Sequence, residues 1–180
     1  MKVLLVNSGY WRTGRTEESL RPLSLSLQEA GIGVETFYLG PEPVADCGGC
    51  GVCEKTGRCM KEDRAAEFSR WAKAADGFCF CSPQYLIQPD LRLLHLLNRA
   101  FASAGHEMRG KPAVVLLSQG SMSYAGVLTE RFRRYSVLEL CMTDWDHLST
   151  ASLRRDGAEE LRRLGEQMAS AVKAACAKRL

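Results

Sequence analysis

Four cysteines, Cys47, Cys50, Cys53 and Cys59, stand in one short string, Cys-Gly-Gly-Cys-Gly-Val-Cys-Glu-Lys-Thr-Gly-Arg-Cys. Two residues between neighbouring cysteines let the chain curl so that their sulfurs face one centre. A third cysteine at the same interval continues the curl, and the fourth closes the cage. Gly48, Gly49, Gly51 and Gly57 are expected to supply the positive φ angles of so tight a wrap, and a bulky side chain at Gly48 or Gly51 is expected to obstruct it. Four thiolates on one loop suit a tetrahedral zinc or an iron–sulfur cluster. The uninterrupted run of three favours a cubane, because a structural zinc usually takes two knuckles set farther apart. A metal-free loop and a disulfide-forming loop are the alternatives. Lys55, Arg58 and Lys61 are either counter-charges to such a centre or the ordinary charges of a solvated loop.

Three further stretches have the composition of ligand loops. The first runs from Ser8 to Thr16, Ser-Gly-Tyr-Trp-Arg-Thr-Gly-Arg-Thr. It joins an apolar run to a helix start, where free N–H groups and the helix dipole favour an anion. Ser8, Thr13 and Thr16 add hydroxyls, Gly14 allows close approach, and Arg12 and Arg15 add charge. The string approaches a Walker A loop whose lysine has become arginine. No apolar strand downstream ends in a convincing magnesium-binding aspartate, so a monophosphate fits better than a triphosphate. The second stretch is Ser82-Pro83-Gln84-Tyr85-Leu86-Ile87-Gln88, where Pro83 stiffens a turn and Tyr85 can stack on a planar ring. The third is Ser118-Gln119-Gly120-Ser121-Met122-Ser123-Tyr124, whose small residues admit a ligand close to the backbone. Taken singly, each of these last two is as readily a turn as a site.

The elements that must position these loops follow from hydrophobic patterning. Val3–Val6 is a short, fully apolar run that suits a strand buried on both faces of a parallel sheet. A helix is predicted from Thr16 to about Ala30, with acids in its first turn and Pro22 as a candidate kink. Val34–Leu39 reads as a second strand and Asp63–Ala75 as a helix. Phe78–Cys81 reads as a third strand ended by Ser82-Pro83. Asp90–Ala104 is predicted to be a helix with Leu91, Leu94, Leu97 and Phe101 on one face, the apolar stripe that such a helix turns to the core. Ala113–Leu117 is a fourth strand, Leu128–Leu140 a helix, and Met142–Leu148 a weaker fifth strand. Asp156–Lys178 reads as a final amphipathic helix. Strand and helix alternate five times, which predicts an α/β sandwich on a parallel sheet. In such a sheet ligands sit beyond the carboxyl ends of the strands, where all three loops fall.

With these motifs in place the chain resembles a known family. The loop after the first strand, the S-P-x-Y string after the third and the S-x-G-S string after the fourth together resemble the NAD(P)H-dependent FMN reductase branch of flavodoxin-like proteins. With the cysteine loop added, the chain is similar to the iron–sulfur flavoproteins of that branch. The resemblance reaches to about Tyr124. Family loops usually run Ser-Pro-Arg and end Gly-Asn-Thr; here Gly9 stands for the proline and Arg15 for the asparagine. The resemblance implies one flavodoxin-like domain over residues 1–180, with a four-cysteine insertion at about 44–62. It implies a three-layer sandwich on a five-stranded parallel sheet of order 2-1-3-4-5. It implies FMN held by the three loops, with Tyr85 against the flavin, and a [4Fe-4S] cluster on Cys47, Cys50, Cys53 and Cys59. NAD(P)H or a protein electron donor would be the partner, in a homo-oligomer (dimer or tetramer).

Composition bounds the alternatives. The chain has 180 residues, 46% hydrophobic and 25% charged, with a formal net charge of +3, so it reads as an ordinary globular chain. So small a net charge, without aromatic–basic interleaving, argues against nucleic acid. Eight cysteines with no secretory pattern at the start are expected of a reducing, cytoplasmic setting. No apolar run approaches a membrane span. The leading expectation is an FMN-dependent, cluster-containing oxidoreductase needing no catalytic acid or base. The alternatives are an FMN or quinone reductase without a cluster, and a non-enzymatic electron carrier or redox sensor. A phosphotransferase is a distant fourth. Cys79 and Cys81 alternate with phenylalanines and are expected to be core thiols.

Overall fold

The computed structural model describes residues 1–85, 88–108, 110–118, 151–152 and 158–178. Its elements are β1 (Lys2–Asn7), α1 (Arg15–Glu29), β2 (Gly33–Tyr38), α2 (Val52–Thr56), α3 (Arg64–Ala74) and β3 (Gly77–Tyr85). They continue with β4 (Gln88–Pro89), α4 (Leu91–Met108), β5 (Ala113–Ser118), β6 (Ala151–Ser152) and α5 (Ala158–Ala177). The strand order is β2-β1-β3-β5-β6, every pair on this path parallel, with β4 attached antiparallel to β3. With the two-residue β4 set aside, this is the flavodoxin-like order 2-1-3-4-5. The expected helix 128–140 and strand 142–148 lie outside the described residues.

The apolar run of β1 explains the layering. Successive side chains of a strand point to opposite faces. Leu4 and Val6 join Phe78, Phe80 and Val115 on one face, under Phe68 and Ala72 of α3 and Leu93, Leu96 and Ala100 of α4. Val3 and Leu5 join Cys79, Cys81, Val114 and Leu116 on the other, under Leu20, Leu23 and Leu27 of α1 and Leu164, Met168 and Val172 of α5. Both faces are therefore dry, and a strand with no polar side was required. Where α1 crosses α5, a Cβ built at Gly165 would lie 2.7 Å from Ser26 Cβ and 2.9 Å from Leu23 O. Only glycine lets the two helices approach that closely.

Three expectations change. The inner face of α4 is built from Leu93, Leu96, Leu97, Ala100 and Ala104, while Leu91 is 53% exposed. Leu94 and Phe101 are only partly buried against that core. Leu91, Leu94, Leu97 and Phe101 also lie at helical spacing, so periodicity alone does not separate the two faces. Secondly, β3 does not end at Ser82-Pro83: it continues to Tyr85, with Pro83 paired to Ser118 and Gln84 to Pro89. Pro83 sits at the end of the parallel ladder, where a missing N–H costs least. Thirdly, the insertion between β2 and α3 contains its own short helix, α2. Pro22 lies within a single α1 assignment, Arg15–Glu29.

Candidate functional site

The register of the parallel strands brings the loop origins together. Asn7 lies beside Cys81, so Ser8 leaves β1 next to Ser82 of β3, and Pro83 lies beside Ser118. The first loop is folded back on its own start by Asn7. The fully buried Asn7 accepts from Gly9 N–H through Oδ1 (2.9 Å) and donates through Nδ2 to Glu17 Oε2 (2.8 Å). Ser8 is also fully buried, and both its N–H (3.0 Å) and its hydroxyl (3.1 Å) donate to Cys81 O. Its oxygen is left only as an acceptor, so Ser8 fastens the loop to β3 rather than offering a donor to an anion. The α1 N-terminus carries no side-chain cap; its first intrahelical bond runs from Glu18 N–H to Gly14 O at 2.9 Å. Thr16 sits in that first turn, 6% exposed, while Thr13, Gly14 and Arg15 are exposed. A Cβ at Gly9 would lie 3.0 Å from Thr16 Oγ1, so glycine keeps that approach open.

Of the two arginines of the loop, Arg12 goes elsewhere. Arg12 lies over the ring of Tyr38, 5.2 Å from its centroid, and Tyr38 donates its hydroxyl to Tyr10 O at 2.7 Å. Tyr10 and Trp11 meet edge to face at 4.9 Å and remain 49% and 72% exposed. Glu17 and Glu18 in the first turn of α1 offset part of the helix dipole. Any anion there thus depends on backbone and hydroxyl donors more than on net charge.

In the second stretch, which lies largely at the end of β3, Ser82 is fully buried and its hydroxyl oxygen accepts from Asp90 N–H at 2.9 Å. Pro83 is buried beside it. The side chains of Gln84 and Tyr85, and all of Leu86, lie outside the described residues. So do the side chain of Ser118 and all of Gln119, Gly120 and Ser121.

Sequence reasoning missed the residues that hold these loops together. Arg92, at the start of α4, is ion-paired with Asp90; their side chains are 14% and 6% exposed. Arg92 donates to Ser8 O at 2.9 Å and also to Gly40 O. One guanidinium therefore gathers the chain leaving β1 and the chain leaving β2. Farther along α4, His95 donates from Nδ1 to Val44 O (2.8 Å), since a carbonyl can only accept. Asn98 reaches Asp46 Oδ1 (3.4 Å), and Arg99 reaches Ala45 O (3.3 Å). Successive turns of α4 thus lace down the segment 40–46 that leads to the cysteines. Arg64 of α3 takes Leu39 O (3.3 Å) and Tyr38 O and lies 4.3 Å from the Phe37 ring centroid.

The cysteine insertion is wrapped around α2. Gly51 (φ 69°) and Gly57 (φ 66°) bound the helix in the left-handed region, and Gly49 (φ 64°) precedes it. Gly48 is not among the positive-φ glycines, and a Cβ there would meet nothing within 4 Å, so it is not needed for the wrap. At Gly51 the requirement is the left-handed backbone, since the nearest atom to a Cβ there is Glu54 Oε2 at 3.9 Å. Cys47, Cys50, Cys53 and Cys59 all line one pocket, together with Met60, Lys61, Arg99 and Ala102. All four are free thiols, with Cys47 and Cys50 exposed and Cys53 and Cys59 half-buried. Among the described residues, no three His, Cys, Asp or Glu side chains are gathered closely enough to hold a metal ion. Burial pushes the Cys53 thiol up, and the charges of Cys47, Cys50 and Cys59 add to the rise. Lys61 donates to Asp46 O at 2.7 Å.

Arg99 closes this pocket from α4. It is 2% exposed and ion-paired with Asp63, and its Nη2 donates to Lys61 O (3.0 Å) and Cys59 Sγ (3.3 Å). Asp63 also caps α3, accepting from Ala65 and Ala66 N–H at 3.0 and 3.3 Å. Burial raises the Asp63 carboxyl, but the Arg99 guanidinium and these amides more than reverse that, leaving it below its ordinary 3.8. A signal existed in the sequence: Arg99 falls on the apolar stripe with Leu96 and Ala100, and a charge there calls for a buried partner. Cys79 and Cys81 are fully buried core thiols, pushed up by burial, and Cys81 Sγ lies 3.6 Å from Thr16 O. No helix among the described residues is long and apolar enough to cross a membrane.

Comparison with known proteins agrees with this architecture. Over 94 residues the chain is 30% identical to a protein named iron–sulfur flavoprotein from Methanosarcina thermophila, a match covering 52% of this chain and 49% of that one. The chain therefore matches about half the length of that relative. A flavodoxin from the domain Archaea superposes with a TM-score of 0.60 at 18% identity, covering 96% of this chain and 99% of that one. An NAD(P)H:quinone oxidoreductase from Methanothermobacter marburgensis superposes with a TM-score of 0.63 at 17% identity, covering 97% of each. At such identities the structures establish a flavodoxin-like fold. The family described as NADPH-dependent FMN reductase matches residues 1–151. With strand order, loop placement and this match in agreement, the chain belongs to the NADPH-dependent FMN reductase family.

Proposed function

We propose that this chain is an FMN-binding oxidoreductase that takes electrons from NAD(P)H and passes them through FMN and a [4Fe-4S] cluster. The observation that carries the reading is that one helix reaches both sites. On α4, Arg92 holds Ser8 and Gly40 at the strand ends, and Arg99 holds Cys59, Lys61 and Ala45 beside the cysteines. The two arginines are seven positions apart, roughly 10 Å of helix axis at 1.5 Å per residue. The donor set fits the cluster: four thiols line one pocket, an all-sulfur set that suits iron–sulfur or zinc and not magnesium or calcium. The buried Arg99 Nε, which has no acceptor among the described residues, fits an anionic neighbour.

When both groups are bound, FMN supplies the exchange between two-electron and one-electron chemistry, and the cluster supplies one-electron transfer. The chain's own residues do the rest. Thr13 and Thr16, with the first-turn amides of α1, would take the phosphate. Asn7 and Ser8 hold that loop against β3, and Ser82 is fixed by Asp90. Cys47, Cys50, Cys53 and Cys59 would ligate the cluster, with α2 and its flanking glycines setting their spacing. A homo-oligomer belongs to the same proposal, supported by the exposure of Tyr10, Trp11 and Met60 around these loops.

A reductase without a cluster is the second reading. It is favoured by the separation of the four sulfurs, which are not gathered around one point. NADPH oxidation under anaerobic conditions, with FMN present and a one-electron acceptor added, tests the activity. Turnover that requires FMN supports the oxidoreductase reading. No nicotinamide oxidation by FMN-loaded protein, with any acceptor, would leave a carrier or sensor instead.

A further inference from the structure

Arg99 is the most deeply buried charge in the described structure that the flavin site does not use. Its Nη1 is ion-paired with Asp63 and lies 3.3 Å from Ala45 O. Its Nη2 is shared between Lys61 O (3.0 Å) and Cys59 Sγ (3.3 Å). Its Nε is buried and has no acceptor among the described residues. Burying a guanidinium is costly, and the cost is offset only where every donor is met. Its contacts lie just before the cysteine wrap, at Ala45, on its last cysteine, Cys59, and just after it, at Lys61 and Asp63. The side chain also lines the pocket that all four cysteines share. The cation is thus buried beside thiols, with one donor left over.

We infer that Arg99 is the positioning residue of the four-cysteine centre, holding the Cys59 sulfur toward the pocket and raising the reduction potential of the thiolate-ligated centre bound there. The inference rests on the proposed role of the cysteines as ligands. An N–H bond to a ligating sulfur, and a positive charge only partly offset by Asp63, both favour the state carrying one more electron. Outer contacts of this kind also orient the ligand before the metal arrives. A lysine keeps the charge but not the planar fork, so it cannot serve Asp63, Ala45, Lys61 and Cys59 together.

Three forms of the full chain test this: the wild type, Arg99→Lys, and the double variant Arg99→Met/Asp63→Asn. The double variant leaves no buried carboxylate unpaired, and asparagine still caps α3. Bound FMN reports that each form is folded, because its loops lie elsewhere in the sequence. Cobalt(II) alone, titrated anaerobically and followed by thiolate-to-metal charge-transfer absorbance, reads the ligand set without the cluster. Redox titration of the reconstituted cluster reads the potential. Both variants are expected to keep FMN. The double variant should bind cobalt about 10–100-fold more weakly and show a more negative cluster potential, with Arg99→Lys between it and the wild type. Equal potentials and equal cobalt affinities in all three would overturn the role of Arg99 while leaving the cysteine centre standing. Loss of FMN from both variants would make Arg99 a folding residue and overturn its tuning role. A wild type with neither charge-transfer absorbance nor iron would overturn the cysteine centre, and this inference with it.

Discussion

Removing Arg92 should damage the strand ends and the flavin site together. In Arg92→Met the Asp90 carboxylate, 6% exposed, loses its ion-pair partner but keeps the Arg92 backbone N–H at 2.8 Å. Ser8 O and Gly40 O lose their donor as well. Breaking one side of a buried pair costs about 3–5 kcal/mol. The lost carbonyl contacts belong to the same network and do not simply add to this. With a urea m-value of about 2 kcal/mol/M, the denaturation midpoint should fall by about 1.5–2.5 M. FMN affinity should fall in parallel, because Ser8 is where the phosphate loop leaves β1. Arg92→Met/Asp90→Asn removes the unpaired charge and should recover about half of the stability loss. Urea denaturation followed by far-ultraviolet circular dichroism, with flavin binding read by fluorescence, measures both effects. A midpoint within about 0.5 M of the wild type would refute the claim that Arg92 ties the strand ends together.

Thr16→Ala should weaken FMN by one hydrogen bond to a charged group, about 1.5–3 kcal/mol; fluorescence titration checks it. Gly165→Ala should cost about 1–3 kcal/mol by overpacking, since its Cβ would lie 2.7 Å from Ser26 Cβ, and the thermal midpoint should fall. The Asp63 carboxyl is held below its ordinary 3.8, so its contribution is complete above that value and is lost as pH falls through the lowered one. The stability difference between wild type and Asp63→Asn should therefore be large at neutral pH and shrink once the pH drops below 3.8, as read by denaturation at several pH values.

The sheet was legible because Val3–Val6 and Ala113–Leu117 have no polar side, which only a two-sided burial explains. The helices were legible from their periodicity, except where polar residues share a buried face. On α4, Arg99 and Ser103 lie among Leu96, Ala100 and Ala104, so the buried face is less apolar in composition than periodicity alone requires. Pro83 looked like the end of β3 because proline cannot donate to a ladder, yet the last rung of a parallel pair tolerates it. The cysteine spacing named the candidate centre directly. What ties the segment before that centre to α4 was less legible, because Arg92 and His95 act through backbone carbonyls of distant segments. A carbonyl carries no residue-type signal. Ser8 was read as a phosphate donor from its position, but its hydroxyl hydrogen goes to Cys81 O, a bond that depends on the strand register.

The most direct test of the account is the iron, sulfide, zinc and FMN content of protein reconstituted and purified anaerobically. The account predicts about one FMN and about four iron and four sulfide per chain for a [4Fe-4S] centre. It also predicts that replacing any one of Cys47, Cys50, Cys53 or Cys59 by serine abolishes the iron and leaves the FMN. Zinc alone, or less than about one iron per chain under those conditions, would contradict the cluster and leave the four cysteines as a structural site.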